Sequence, residues 1–258
     1  ILVLAIYIRQ LPVSPIQPIP FADPDPVPLT PNFLLTGAER IWKGGSMKGK
    51  HFAVDSEGRY MYTGLADGRV IRIRYLCRAN ACSVLPCGQH ETEPICGRPL
   101  GMTVDNKRNR LIVADAYHGL LAINLTNFKI EWLTREVTHL KKNGVKRILF
   151  PNSVAMNEKT GVIYFTDSSS RFQRRYLDVL YDMLEGAPNG RIISFDPNVI
   201  RVQRYIHRAR KRLVLSPEGD ALIWSETSRY RLRRYWLKGD NKGTVDTFAD
   251  ALPGRLCA

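Results

Sequence analysis

The feature of this chain that most restricts its fold is a repeat. Four segments share one pattern: Phe52–Gly64 (FAVDSEGRYMYTG), Met102–Asp115 (MTVDNKRNRLIVAD), Val154–Asp167 (VAMNEKTGVIYFTD) and Leu213–Glu226 (LVLSPEGDALIWSE). Each is a short apolar stretch, a polar turn of Gly or Asn type, and a second apolar stretch. The anchors Asp55, Asp105, Asn157 and Ser216 stand 50, 52 and 59 residues apart. In the last three units a carboxylate (Asp115, Asp167 or Glu226) ends the second stretch ten residues after the anchor. Short strands recurring at this period point to propeller blades and not to helical solenoids.

A third strand follows each pair. Gly68–Ile73 alternates apolar and basic residues, as suits a strand with one buried face, and residues 119–123, 190–195 and 230–235 occupy the corresponding places. Fourth, outer strands are expected at 129–134, 199–203 and 245–248. A β-sandwich would also be built of short strands, but it would lack the long self-similarity. The pattern therefore predicts an all-β propeller with about four blades in this chain.

The 258 residues, 44% of them hydrophobic, can bury a sizeable core as one domain. The sequence opens on Ile and displays four units, where a closed ring needs more to cover its sheet faces and edges; a partial propeller over residues 33–258 is expected. Ile1–Ile8 is wholly apolar, too short to span a bilayer alone, and is followed by Arg9 and a Pro-rich stretch. Residues 1–9 read as the remnant of a membrane anchor and residues 10–32 as an extended linker.

Four of the five cysteines (Cys77, Cys82, Cys87 and Cys96, with Cys257 apart) fall within twenty residues. Their intervals of five, five and nine do not suit zinc, and His90 is the one imidazole near them. Disulfides in an oxidising compartment are the better reading, and the sequon Asn124-Leu125-Thr126 is consistent with glycosylation there. The net charge of +14 bunches at 171–175, 201–212 and 229–234 without any nucleic-acid-binding signature. Nucleic acid is therefore disfavoured as a partner, and an anionic membrane surface is the better use of the charge.

Several longer motifs carry a resemblance. Cys96-Gly97-Arg98-Pro99-Leu100-Gly101, Val113–Leu120 (VADAYHGL), Tyr164–Ser170 (YFTDSSS), Arg171–Arg175 (RFQRR) and Leu215–Asp220 (LSPEGD) resemble the strictosidine synthase-like family, in particular its membrane-anchored animal members. The resemblance runs from about residue 33 to residue 254. It implies a six-bladed β-propeller outside the cytosol, a single-pass N-terminal anchor, and a disulfide matching Cys87 and Cys96. It further implies a hydrolase of arylesterase type acting on a small ester or hydrophobic molecule, with calcium in the central channel.

The calcium ligands of related propellers are Glu, Asn and Asp side chains at four positions. Asn152, in Phe150-Pro151-Asn152-Ser153, matches one Asn ligand and is the candidate metal residue. Lys50 stands where the family has Glu. The run His207-Arg208-Ala209-Arg210-Lys211-Arg212 replaces a second Asn, and Arg255-Leu256-Cys257-Ala258 follows Leu252-Pro253-Gly254 where Pro-Asp-Asn is expected. Cationic replacements repel a divalent ion, and one amide cannot supply the six to eight oxygens calcium takes. The expectation for this chain is poor calcium binding, with a non-catalytic ligand-binding propeller as the alternative to the hydrolase.

Other catalytic patterns are weak. Ser168–Ser170 lie near Asp167 and His118 in motif order, but no nucleophile elbow surrounds them. The recurrence of Asp167 as Asp115 and Glu226 predicts a structural carboxylate, and Leu100 occupies the place of a catalytic histidine in the paraoxonase group. The 168–190 insertion has near-helical spacing of Tyr176, Leu177, Leu180, Tyr181, Met183 and Leu184, which predicts a helix packed on the propeller.

Overall fold

A computed structural model describes residues 51–74, 92–139, 144–175, 181–182, 189–198, 201–207, 212–226, 229–250 and 252. The first sheet contains β1 (Phe52–Val54), β2 (Tyr60–Gly64) and β3 (Val70–Arg74). A one-turn helix, α1 (Glu93–Cys96), leads into β4 (Pro99–Asp105), β5 (Arg110–Asp115), β6 (Gly119–Asn124) and β7 (Ile130–Thr134). After a ribbon of β8 (Glu136–His139) and β9 (Gly144–Arg147) come β10 (Pro151–Met156), β11 (Ile163–Asp167), β12 (Arg191–Asp196) and β13 (Arg201–His207). The last sheet is β14 (Leu213–Leu215), β15 (Ala221–Glu226), β16 (Arg231–Trp236) and β17 (Val245–Ala249).

Each large sheet is an antiparallel meander whose spatial order is its chain order. The first strands of successive sheets lie side by side: β1 on β4, β4 on β10, and β10 on β14. Four sheets sharing an inner row of first strands are propeller blades.

The repeat anchors are turn-closing residues. Asp55 Oδ1 accepts the N–H groups of Arg59 and Tyr60 at 2.7 and 3.1 Å, and Asn157 Oδ1 accepts those of Lys159 and Thr160 at 3.0 and 3.1 Å. Asp105 accepts Arg108 N at 3.2 Å, and Ser216 Oγ accepts the Asp220 and Ala221 N–H groups at 3.0 and 2.9 Å. Short side-chain acceptors at a turn satisfy backbone donors that the ladder leaves over.

The core lies between blades. Along a strand, successive side chains point to opposite faces, so one strand feeds two interfaces. Leu111 and Val113 of β5 join Ala53, Tyr62, Met102, Val104 and Leu121 between the first two blades. Their neighbours Ile112 and Ala114 join Ile163, Phe165, Ile193 and Phe195 between the second and third. Tyr164 and Ile192 then meet Leu213, Leu222 and Trp224 between the third and fourth. Each fully buried large apolar side chain contributes about 1.5–3 kcal/mol.

The structure adds two elements to those the sequence predicts. The β8–β9 ribbon follows the second blade and packs against β13. Its strands are four residues long and largely polar, leaving no two-fold apolar rhythm to read. Helix α1 likewise sits in the cysteine-rich stretch. Of the helix predicted in the 168–190 insertion, Tyr181 and Asp182 are described and are helical. The proposed anchor, the Pro-rich linker and Lys50 lie outside the described residues.

Blade spacing is set where inner strands touch. A Cβ on Gly101 would stand 2.6 Å from the Asn152 carbonyl oxygen and 2.7 Å from Ser153 Cα, both rigid backbone. Gly101→Ala is expected to cost about 1–3 kcal/mol by forcing β4 and β10 apart, read as a lower urea midpoint; an unchanged midpoint would show that the strands can separate freely.

Candidate functional site

One end of the inner strands is latched by hydroxyls. Thr63, Thr166 and Ser225 each precede the last residue of a second strand. Thr63 Oγ1 donates to the His51 carbonyl at 2.8 Å, Ser153 N donates to Thr166 Oγ1 at 3.0 Å, and Arg212 N donates to Ser225 Oγ at 3.1 Å. The second blade has Ala114 in this place, and β4 shifts register between Pro99 and Gly101 instead. These contacts make His51, Ser153 and Arg212 equivalent positions at the start of the inner strands, the mouth of the inner row, with Gly101, the partner of Ala114, in the second blade. Ser153 Oγ also ties the third blade to the fourth by accepting from Leu213 N at 3.1 Å.

The recurring carboxylates close the second strands, as their repetition predicts. Asp115 accepts the Tyr117 and His118 N–H groups at 2.9 and 2.8 Å. Asp167 accepts Phe150 N at 2.7 Å and pairs with Arg191 at 2.8 Å, while Glu226 pairs with Arg231 at 2.6 Å. Burial pushes the Asp167 carboxyl up to about 6 against the pull of Arg191, and burial also raises Asp115. The neighbouring serines are structural too: Ser168 Oγ accepts from Asn152 Nδ2 at 3.0 Å, and Ser169 Oγ donates to Asp182 at 3.0 Å. Among the described residues no hydrogen bond links His118 to a serine, so no triad forms.

Asn152 is half-buried at the mouth, where the sequence match puts it. It directly precedes Ser153, the residue equivalent to His51 and Arg212, so its own equivalents in the first and fourth blades are Lys50 and Lys211, which lie outside the described residues. Burial and then the charge of Arg212 lower the pKa of His51, and its Nδ1 is buried without a partner. Among the described residues no three His, Cys, Asp or Glu side chains group as a metal site. Calcium takes several hard oxygens and no competing cation, and the sequence has lysines at the first- and fourth-blade equivalents of Asn152.

Beside the mouth lies a buried charged node that the sequence patterns do not reveal. Glu93 of α1 is 3% exposed, and both its oxygens take hydrogen bonds from Arg174 Nη1. Tyr117 Oη donates to Glu93 Oε2 at 3.1 Å and also approaches the Arg174 carbonyl at 3.1 Å. Burial, with Glu93 beside it, pushes the Tyr117 hydroxyl up, so it stays a donor. Arg98, the residue before β4, is 6% exposed, and its Nε stands 3.7 Å from Glu93 Oε1. Burial and then Arg174 lower its pKa. Gly68 in the first blade allows this packing, since a Cβ there would fall 1.9 Å from the Cys96 carbonyl oxygen. The node thus gathers α1, the β5–β6 turn and the segment after β11. Pairs separated by 24 to 81 residues leave no local signal; only the Gly-Arg-Pro motif drew attention to Arg98.

The remaining predicted residues are Cys96 of α1, Asn124 at the end of β6, and Cys87. Cys96 is disulfide-bonded, and Cys87 lies outside the described residues. Asn124 is exposed at the end of β6, where its Oδ1 accepts the Thr126 and Asn127 N–H groups at 2.8 and 3.1 Å. The sequon is therefore on a surface turn, with Thr126 Oγ1 accepting from Asn109 Nδ2 at 2.8 Å.

Consecutive four-stranded meanders around a shared inner row, with polar groups gathered at one mouth, define a β-propeller. Solved structures agree at the level of fold. A chain in the crystal structure of a nidogen/laminin complex matches with a TM-score of 0.56 at 11% identity, over 80% of this chain and 66% of that one. A gluconolactonase from Xanthomonas campestris matches at 0.55 and 17%, over 79% and 63%. The sequence matches the strictosidine synthase family model over residues 152–240 and the strictosidine synthase-like N-terminal model over residues 28–73. Adipocyte plasma membrane-associated protein of Gallus gallus is 35% identical over 93% of this chain and 58% of its own length; the Homo sapiens protein is 33% identical over 97% and 59%. The protein Strictosidine synthase-like 2 of Arabidopsis thaliana is 36% identical over 81% and 58%. The chain belongs to the strictosidine synthase-like family. It spans between half and two thirds of the length of these relatives.

Two outcomes follow from the site. Glu93→Gln strips the counter-charge from two buried guanidinium groups and is expected to cost about 3–5 kcal/mol of stability, measured by denaturant unfolding; a loss below 1 kcal/mol, on the order of a surface pair, would mean the node is solvated. The lowered pKa of His51 means that the unfolded chain binds its proton more readily than the folded one. Its contribution is therefore present above pH 6.5 and is lost as pH falls through the depressed value. His51→Gln should weaken the decline of stability between pH 6.5 and 5, followed by thermal melts at half-unit steps; identical slopes would refute this.

Proposed function

We propose that the complete protein is a membrane-associated propeller that takes a small ester or hydrophobic molecule at the mouth of its central channel. The observation that carries this reading is the gathering of polar residues at one end of the inner strands, where His51, Ser153 and Arg212 hold equivalent places beside Asn152 and the apolar Leu100. Propellers offer ligands the place where all blades meet, a concave site lined by few polar groups. The names of the animal relatives support membrane association, and the apolar Ile1–Ile8 supports anchoring by a single N-terminal segment, with the propeller on the lumenal or extracellular side. Among the described residues no helix is long and apolar enough to cross a membrane.

Hydrolysis of arylesterase type is supported by the family resemblance and, more distantly, by the gluconolactonase neighbour. Ligand binding without turnover is favoured by the donor set of this chain, which has lysines at the equivalents of Asn152 where a calcium site needs oxygens. Fold alone does not choose between the two.

Aryl acetate hydrolysis by the purified chain, assayed with added calcium and with a chelator, decides the matter. The expected result is no calcium-dependent turnover, while a variant carrying Lys50→Glu, a Phe-Pro-Asn-Gly segment in place of residues 209–212 and a Pro-Asp-Asn extension gains it. Calcium-dependent turnover by the unmodified chain would overturn the donor-set argument. If both proteins fold and neither turns over, binding without hydrolysis stands.

A further inference from the structure

We propose that Arg98, backed by Arg174, is a receptor for the oxyanion group, carboxylate or phosphate, of a small ligand entering at the channel mouth. The inference rests on reading that mouth as the ligand-binding end, and it does not require hydrolysis.

The argument starts from charge. Glu93 holds the node together, and both its oxygens are already engaged by Arg174 and Tyr117. Arg98 is left as a second guanidinium beside one shared carboxylate, at a distance too long for a hydrogen bond. Among the described residues no acceptor lies within hydrogen-bonding reach of its guanidinium. Other nearby acids are committed elsewhere: Asp67 pairs with Arg69 at 2.6 Å, and Asp115 caps the β5–β6 turn. A guanidinium largely removed from water gains from acceptors set against it, and its planar fork matches the two oxygens of a carboxylate or phosphate.

Position supports the chemistry. Arg98 precedes the first residue of β4, so it stands at the start of an inner strand, at the end of the channel shared by His51, Asn152 and Arg212. Pro99 fixes the backbone just after it, and the Gly97 conformation (φ 84°) is one that L side chains rarely adopt. The helix end is also secured by the Cys96 disulfide. The guanidinium is therefore presented from a rigid stem, which keeps the ordering cost of binding low. An anion bound there would balance the charge that Glu93 leaves uncompensated, and the cations along the inner-strand starts would draw it in.

The test uses the 258-residue chain with sodium phosphate and sodium acetate as probes and sodium chloride at matched ionic strength as reference. Thermal midpoints and titration calorimetry are expected to show saturable binding of at least one oxyanion beyond the chloride response. A preference for phosphate or for acetate identifies which oxyanion the site takes. Arg98→Gln should weaken that binding at least tenfold, about 1.4 kcal/mol, whereas Arg59→Gln on an exposed turn should leave it unchanged. Should Arg98→Gln fail to fold, Arg98→Lys serves, since it keeps the charge but loses the fork; a severalfold weaker affinity is then expected. Absence of saturable binding in the wild-type chain, or equal binding by the wild-type and Arg98 variants, would overturn the proposal. Because binding and turnover are read separately, an ester hydrolase without oxyanion binding would sink this inference and leave the hydrolase reading intact. Oxyanion binding without turnover would support this inference and leave hydrolysis to be decided by the repaired variant.

Discussion

A narrow antiparallel sheet with apolar residues on both faces is unstable alone, and that constraint organises the whole structure. The middle strands of the second and third blades send alternate side chains to two different neighbours, so Ile112 and Val113, adjacent in sequence, sit in separate clusters. No blade owns its core. Stability is a property of the interfaces, and the order of blades in space follows their order in the chain because each must meet its neighbour. The glycines at close inner-strand contacts are part of the same constraint, because they set how near two blades can come.

The fold was legible because its determinants are local. A turn acceptor such as Asp55 or Asn157 acts within five residues, and an alternating strand declares its faces within six. The strand-end carboxylates were legible for the same reason: repetition at a fixed offset marks a backbone role, and Asp115, Asp167 and Glu226 have one. Outer strands came within a few residues of their predicted places. What escaped was either too short to show a rhythm, as in the β8–β9 ribbon, or made by contacts between distant loops. Glu93, Tyr117 and Arg174 meet only once the second and third blades are placed, and nothing near any of them announces the others. Asn152 was found by motif, but its amide bond to Ser168 needed the coordinates.

The mouth shows how one backbone can serve opposite chemistries. The hydroxyl latches at Thr63, Thr166 and Ser225 fix the inner-strand starts through main-chain atoms, leaving the side chains at those starts free to change. Oxygen ligands there would gather a cation; an imidazole and a guanidinium favour an anion instead. The latch is indifferent to the exchange. A family built this way can keep its blades and alter its ligand by substituting a few residues at equivalent places, which is why likeness of fold is a weak guide to activity.

The bond between Glu93 and Arg174 spans 81 positions of the chain, while strand partners inside a blade lie at most 32 positions apart, as Ile163 and Phe195 do. Contacts of such different range form at different times, because loop closure must precede the contacts that reward it. Individual meanders can therefore gather early, and the charged node can assemble only after the second and third blades have docked against each other. Until then its carboxylate and guanidinium groups remain hydrated. Their burial marks the end of assembly, so a newly made chain acquires a competent mouth last, after its core is complete.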